Sequence, residues 1–341
     1  MADCGILLVN LGTPASSENS AVYRYLMEFL LDERVIDYSY LKRNLLVRGI
    51  IVPFRYRSSA KTYRLIWGEE GSPLLKHSKD VAALLQKDLD AKRPGSFKVS
   101  LAMRYQFPSI EEGLSSLKDC RKIIIFPLFP QYASATTGSI HQKVMEVMGS
   151  WQVIPELSFI SSYADHEAFI SAWLEVISSF DLSEGTVLFS FHGLPKRQLT
   201  KAYAACGQEG CCSKSCETRR YCYRAQCLAT AEAIRSRLNI PLERTQISFQ
   251  SRLGRDPWLE PYTSDVLQSL AKKGEKVTVI PAAFVADCLE TIYEIGMEYK
   301  EEFLTLGGKE LVFIPSLNSH PAWVQAIAKI ALPAELAGNS C

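Results

Sequence analysis

No apolar run in the 341-residue chain approaches the roughly 18 residues that a membrane span requires, so no transmembrane helix is expected. Neither sign of charge prevails: 38 Lys and Arg stand against 37 Asp and Glu. That balance supplies no long-range field for a polyanion and argues against nucleic-acid binding. The opening MADCGILLVNLGTP lacks a basic stretch, a long apolar core and a cleavage site, so no signal peptide is expected and the location reads as cytoplasmic. No G-x-G-x-x-G follows the first strand pattern and no G-x-x-x-x-G-K-[ST] occurs, so neither dinucleotide nor P-loop chemistry is signalled.

What is present is an ordinary globular composition, 47% hydrophobic and 22% charged, at a length suited to two domains. Short strand patterns fall at 4–12, 97–103, 122–126, 186–191, 245–249, 276–280 and 310–314. Helical patterns lie between most of them, at 22–31, 78–89, 166–180, 225–238 and 264–272. This alternation predicts an α/β protein with parallel sheets flanked by helices. Two such sheets fit, dividing near 151–162: a first domain over 1–155 and a second over 156–320. A last amphipathic stretch, 321–335, is free to pack back on the first.

In open α/β sheets, ligand chemistry gathers just beyond the carboxyl ends of the strands. The stretch VLFSFHGLPKR, 187–197, ends a buried strand on His192 and turns at once at Gly193. A lone histidine there is commonly satisfied by nearby backbone, but this one also sits where such a sheet presents ligands. A second stretch, VIPAAFVADCLETIYEIGMEYKEE (279–302), leaves a strand and enters a helix bearing Asp287, Glu290, Glu294, Glu298 and Glu301. Glu290, Glu294 and Glu298 stack on one face, where like charges in an exposed helix cost about 0.2–0.5 kcal/mol per pair. Ala286, Leu289, Ile292, Tyr293 and Met297 form the opposite, apolar face. A solvated surface explains such a ladder; a ladder lining a cleft supplies oxygen ligands and proton acceptors instead. An imidazole facing a carboxylate can hold a borderline divalent metal such as Fe²⁺, or abstract protons when the imidazole is neutral.

Six of the ten cysteines, Cys206, Cys211, Cys212, Cys216, Cys222 and Cys227, crowd into the segment 206–227. In a chain read as cytoplasmic, that density favours metal ligation over disulfides, and spacing does not separate zinc from a 2Fe–2S cluster. The segment KRNLLVRGIIVPFRYR (42–57) mixes apolar side chains with cations and no acid. A membrane-surface segment and a buried helix with a basic edge both fit it.

Taken in order, GILLVNLGTP, YRLIWGEEGSPLL, AMRYQFPSI, PQYASATTGS, SFHGLPKR, FQSRLGRDPWLEPYT, ADCLETIYEIGMEY and SLNSHP resemble the ferrochelatase family, from residue 5 to about residue 325. The resemblance implies two Rossmann-like domains, each a parallel sheet flanked by helices, with the active-site cleft between them. It implies a lyase of haem biosynthesis that inserts Fe²⁺ into protoporphyrin IX. Catalytic roles pass to His192, Glu290, Glu294 and Glu298, with His192 and Glu290 also meeting the Fe²⁺; which of these two delivers metal and which accepts protons stays open. Porphyrin contacts pass to Leu11, Arg55 or Arg57, Tyr63, Ser72, Arg104, Tyr105 and Tyr132. The 42–57 segment corresponds to an apolar lip that can rest on a membrane, so the expected partners are porphyrin, Fe²⁺ and a membrane surface.

Where animal-type members have a histidine two residues before the glutamate, this chain has Cys288. Some members carry a 2Fe–2S cluster. With Ser134 in the PQY loop and only Cys341 at the C-terminus, the implied ligands are four of Cys206, Cys211, Cys212, Cys216 and Cys222, with Cys227 ranked last and zinc as the alternative metal. A coproporphyrin ferrochelatase, a cobalt or nickel tetrapyrrole chelatase, and a haem carrier without turnover are the competing readings.

Overall fold

The stretch CGILLVNLG is apolar at nearly every position, so it has no face to offer water and suits the middle of a parallel sheet covered on both sides. In the computed structural model, which describes residues 2–204, 206, 211–213, 220–254 and 256–332, this stretch forms β1 (Cys4–Gly12). It lies between β2 (Phe97–Tyr105) and β3 (Lys122–Pro127), with β4 (Glu156–Phe159) beyond β3. A second sheet has β5 (Thr186–His192) between β6 (Thr245–Gln250) and β7 (Lys276–Ile280), with β8 (Glu310–Phe313) beyond β7. Every pairing in both sheets is parallel, and the two strand orders, β2-β1-β3-β4 and β6-β5-β7-β8, repeat one pattern.

The described residues divide into two compact units. The first takes those up to Phe129, those of Ala133–Ser161 and those from Val324 onward; the second takes Pro130–Tyr132 and Ser162–Trp323. In the first, Leu7 and Val9 of β1 and Ile123 and Ile125 of β3 pack with Leu114, Ile140 and Val144 from helices. In the second, Leu188, Val277 and Val279 pack with Leu267, Leu270, Ile295 and Phe303. Trp323, near the start of the helix Pro321–Ala331, lies against Tyr163 and Phe169. The remaining residues of the expected 321–335 helix, 333–335, lie outside the described residues.

The strand β4 was not expected, because ELSF is only four residues long and opens on an exposed glutamate, the pattern of a sheet edge. Glycine at the end of β1 is required by space: Gly12 has φ +114°, and a Cβ there would stand 2.0 Å from the carbonyl oxygen of Tyr105. The basic segment folds as one helical run, Tyr40–Leu46, a π-helical turn at Val47–Ile51, and Val52–Ile66. The wide turn sits directly ahead of Pro53, whose nitrogen carries no hydrogen to continue an α-helical ladder.

Candidate active site

Val187 to Phe191 are buried without exception, and the strand ends with His192 opposite Gln250 of β6. The next amide, Gly193 N–H, donates to the Gln250 carbonyl at 2.8 Å. No other residue fits at 193, since a Cβ would meet that same oxygen at 2.7 Å. The His192 ring turns back so that Nδ1 lies 2.6 Å from the Gly193 carbonyl oxygen. A carbonyl only accepts, so Nδ1 carries the hydrogen and Nε2 of the neutral ring keeps its lone pair. Trp258 and Phe284 flank the imidazole at 6.5 and 6.4 Å between ring centres. Tyr223 Oη donates to the His192 carbonyl at 2.8 Å.

The acidic stretch is a π-helix, Leu289–Tyr299, continued by an α-helix at Lys300–Thr305. This winding changes which residues face the core. α-Helical spacing points to Leu289, Ile292, Tyr293 and Met297, whereas the buried residues are Thr291 and Ile295, and Met297 is exposed. With more residues per turn, positions four apart stay nearly in line, so the carboxylates still stack. Asp287 is not on this helix. It precedes it, is buried, and accepts from Thr291 Oγ1 at 3.0 Å, Ser316 N at 3.1 Å and Asn318 Nδ2 at 2.7 Å.

One side chain that sequence reasoning passed over touches both halves of the site. Gln250, whose backbone receives Gly193, donates from Nε2 to the Glu290 carbonyl oxygen at 2.9 Å and to Glu294 Oε2 at 3.1 Å. Its Oε1 accepts from Ser190 Oγ at 2.7 Å, which fixes which way the amide points. Glu294 also accepts from Ser251 N at 2.9 Å, Ser251 Oγ at 2.5 Å and Tyr299 Oη at 3.0 Å. Four donors fix the carboxyl group of Glu294 in place. Ser251 adopts φ +64°, a left-handed conformation costing about 1–2 kcal/mol, and two of these bonds are what hold it there. The motif FQSRLGRD contains both residues, but nothing in its pattern points to their role.

One thiol and one further acid of this stretch are perturbed. Burial, then the Glu290 charge, pushes the Cys288 thiol well above its usual range. Glu298 reaches solvent, yet partial loss of water, then the charges of Glu294 and Glu302, push its carboxyl above the ordinary 4.5. A carboxyl raised on folding is disfavoured when ionised, so the penalty is absent below the ordinary value and complete above the raised one. Glu298→Gln is therefore expected to unfold at a higher temperature than the parent at about pH 7.5, with the gap closing at about pH 4. Melting curves at the two pH values check this; a variant that is less stable at the higher pH contradicts it.

The other expected positions divide by exposure. Leu11 is half-buried, Arg55 and Arg57 are exposed, and Arg57 Nε donates to Tyr56 Oη at 2.9 Å. Tyr63 is buried against Tyr25 and Trp67, and Ser72 Oγ accepts from Thr13 Oγ1 at 2.8 Å. Tyr105, carried over as a porphyrin contact, has no exposed surface, and its hydroxyl donates to Asp32 Oδ2 at 2.9 Å. Arg104 gives Nη2 to the same oxygen at 2.6 Å and Nε to Ser139 Oγ at 2.6 Å. Tyr132, in the second unit, is half-buried beside Tyr221 and gives its amide to Gln226 Oε1 at 2.6 Å.

Of the candidate cluster ligands, Cys216 lies outside the described residues, as does Cys341. Cys211 and Cys212 have their sulfurs 3.8 Å apart, and Arg224 Nη1 donates to Cys212 Sγ at 3.1 Å. Cys206 is pushed up to about 12 by burial and then by Cys222, Cys211 and Cys212, and it shares a thiol hydrogen bond with Cys222. None of the described cysteines forms a disulfide. Among the described residues, no three His, Cys, Asp or Glu side chains converge closely enough to hold a metal ion.

Two parallel four-stranded α/β units of matching strand order, with an imidazole and a carboxylate ladder beyond one sheet, define a chelatase fold. The same fold occurs in SirB from Bacillus subtilis with Fe³⁺ (TM-score 0.55, 11% identity, 98% of each chain). It also occurs in the sirohydrochlorin chelatase SirB from Bacillus subtilis subspecies spizizenii in complex with cobalt (TM-score 0.51, 12% identity, 98% of this chain and 97% of that one). The chain belongs to the ferrochelatase family, whose profile matches residues 3–334. It is 40% identical over 331 residues to the ferrochelatase of Legionella pneumophila (strain Paris), covering 96% of this chain and 98% of that one. It is 42% identical over 336 residues to the ferrochelatase of Coxiella burnetii (strain Dugway 5J108-111), covering 96% and 92%.

Proposed function

We propose that this enzyme inserts Fe²⁺ into protoporphyrin IX, with His192 accepting a pyrrole proton at Nε2 and Glu290 assisting metal or proton transfer. The observation that carries this reading is the frame around Gln250, whose main chain anchors the turn after His192 and whose amide holds the Glu290 backbone. Both inward-facing N–H protons of a porphyrin must leave before a metal can enter, so a neutral imidazole with a free lone pair is the chemistry required. Glu294, fixed in place by four donors, extends the path from Glu290. Glu298, with its raised affinity for protons, is the member of the ladder suited to passing them to solvent. Anaerobic incubation with Fe²⁺ and either protoporphyrin IX or coproporphyrin III tests this by the haem spectrum. Turnover of the second porphyrin alone replaces the substrate, and turnover of neither refutes the reading.

The helical run 40–66 supports a peripheral membrane contact as the source of an apolar substrate. Tyr40, Leu41, Leu45, Ile50 and Phe54 are 54–81% exposed, with Lys42, Arg48 and Arg55 nearby in sequence to meet anionic headgroups. No described helix is long and apolar enough to cross a membrane. Sedimentation with vesicles containing anionic lipid checks the contact: Leu41→Ser with Phe54→Ser is expected to abolish binding, and unchanged binding contradicts it.

The crowding of cysteines in the sequence is what supports a 2Fe–2S cluster, on four of Cys206, Cys211, Cys212, Cys216 and Cys222. Cys206, raised by Cys222, Cys211 and Cys212, marks these four thiols as neighbours that would suit a soft metal centre. Such a group would brace the segment, since insertion transfers no electron. Iron and acid-labile sulfide in the purified protein support this assignment, and one zinc per chain replaces it.

A further inference from the structure

The helix Tyr223–Arg237 begins among the thiols. Cys222 occupies its N-cap position, buried and sharing a thiol hydrogen bond with Cys206, and Arg224 points its guanidinium at Cys212. Tyr223 lies between these two residues in sequence and faces the other way. Its ring is buried and its hydroxyl donates to the backbone carbonyl of His192. One helical turn on, the fully buried Cys227 thiol shares a hydrogen bond with that same hydroxyl.

The peptide joining His192 to Gly193 is therefore clamped at both polar atoms, its C=O by Tyr223 Oη at 2.8 Å and its N–H by the Gln250 carbonyl at 2.8 Å. The imidazole is bonded in turn to the Gly193 carbonyl of the following peptide, so its Nε2 lone pair is set by the turn that this clamp anchors. Downstream, Gln226 ties the helix to Tyr132 N and Ser162 Oγ, which holds the rest of it in place. Tyr223 is the residue adjacent to Cys222, about 3.8 Å away along the chain.

We propose that Tyr223 is a positioning residue for His192, and that through it the neighbouring N-cap residue Cys222 acts on the orientation of the catalytic imidazole. The proposal rests on His192 being the base and adds a physical link that the insertion chemistry alone does not require.

Tyr223→Phe, in the full chain, is expected to lower kcat about tenfold. KM for porphyrin, thiol titre and metal content should stay at parental values. The nitrogen resonances of the His192 ring should shift from a single Nδ1–H form towards a mixture of tautomers, a change that loosened packing elsewhere does not produce. Cys222→Ser alone should lower kcat and disturb the same resonances, yet add less than about twofold when combined with Tyr223→Phe, because both act through one contact. Parental kcat and parental His192 resonances in Tyr223→Phe overturn the proposal, as do fully additive losses in the double variant.

Should Tyr223→Phe fail to fold, Cys227→Ala removes only the thiol behind the hydroxyl. It must then shift the His192 resonances in the same direction by less, and unchanged resonances overturn the proposal. His192→Ala separates the two readings. If it still turns over, the base assignment fails and the link loses its object; if it is inactive while Tyr223→Phe is unaffected, the link alone fails.

Discussion

His192→Ala is expected to lose about 10²–10⁴-fold in turnover while binding porphyrin within about twofold of the parent. The size follows from the proposed role: a positioned general base contributes that much, and His192 is the only histidine in β5 and the turn after it. The specificity of the loss follows from the local frame. The bonds that shape this turn, Gly193 N–H to Gln250 and Tyr223 to the His192 carbonyl, run through the main chain of residues 192 and 193. They survive removal of the ring, so the variant should fold and keep Trp258 and Phe284 in place. Anaerobic haem formation measures the first quantity and porphyrin fluorescence quenching the second. Turnover near the parental rate would exclude the imidazole as base, and lost porphyrin binding would recast His192 as a binding residue.

Asp32→Ala is expected to destabilise the first unit by about 3–5 kcal/mol, the usual cost of breaking a buried ion pair by removing one partner. Its Oδ2 accepts from Arg104 Nη2 at 2.6 Å, Tyr105 Oη at 2.9 Å and Ser139 Oγ at 2.5 Å, and its Oδ1 accepts from Arg34 N at 2.7 Å. The carboxylate and guanidinium side chains are only 6% and 17% exposed. Alanine would leave Arg104 Nη2 and the Tyr105 hydroxyl without the acceptor they share. Asp32→Asn keeps an acceptor of the same shape and should cost less. Denaturant titration of both variants checks the order, and a loss under about 1 kcal/mol for alanine would mean that solvent enters and solvates Arg104.

The central strands were legible because sheets covered on both faces leave unbroken apolar runs, and seven of the eight could be placed before any coordinates. The edge strand β4 was illegible for the converse reason, since half-exposed residues carry no such signature. His192 was findable as a polar residue closing an apolar strand, and the carboxylates as a repeat of four. The π-winding beneath them was not, because hydrophobic spacing was judged on α-helical geometry, which misassigned the core face to Met297 in place of Ile295. Gln250, Ser251 and Tyr223 escaped notice because their importance lies in bonds to backbone atoms of distant residues. Arg104 and Tyr105 stood out by motif, yet their polar atoms bond inward to Asp32 and Ser139, residues that sequence spacing does not connect to them.

The amide of Gln250 has a consequence for how this site tolerates change. It grips the carbonyl of residue 290, not that residue's acidic group, so the strut between sheet edge and helix is built from parts that no substitution at 290 removes. Residue 290 can exchange its acid while this bond between sheet edge and helix stays as it is.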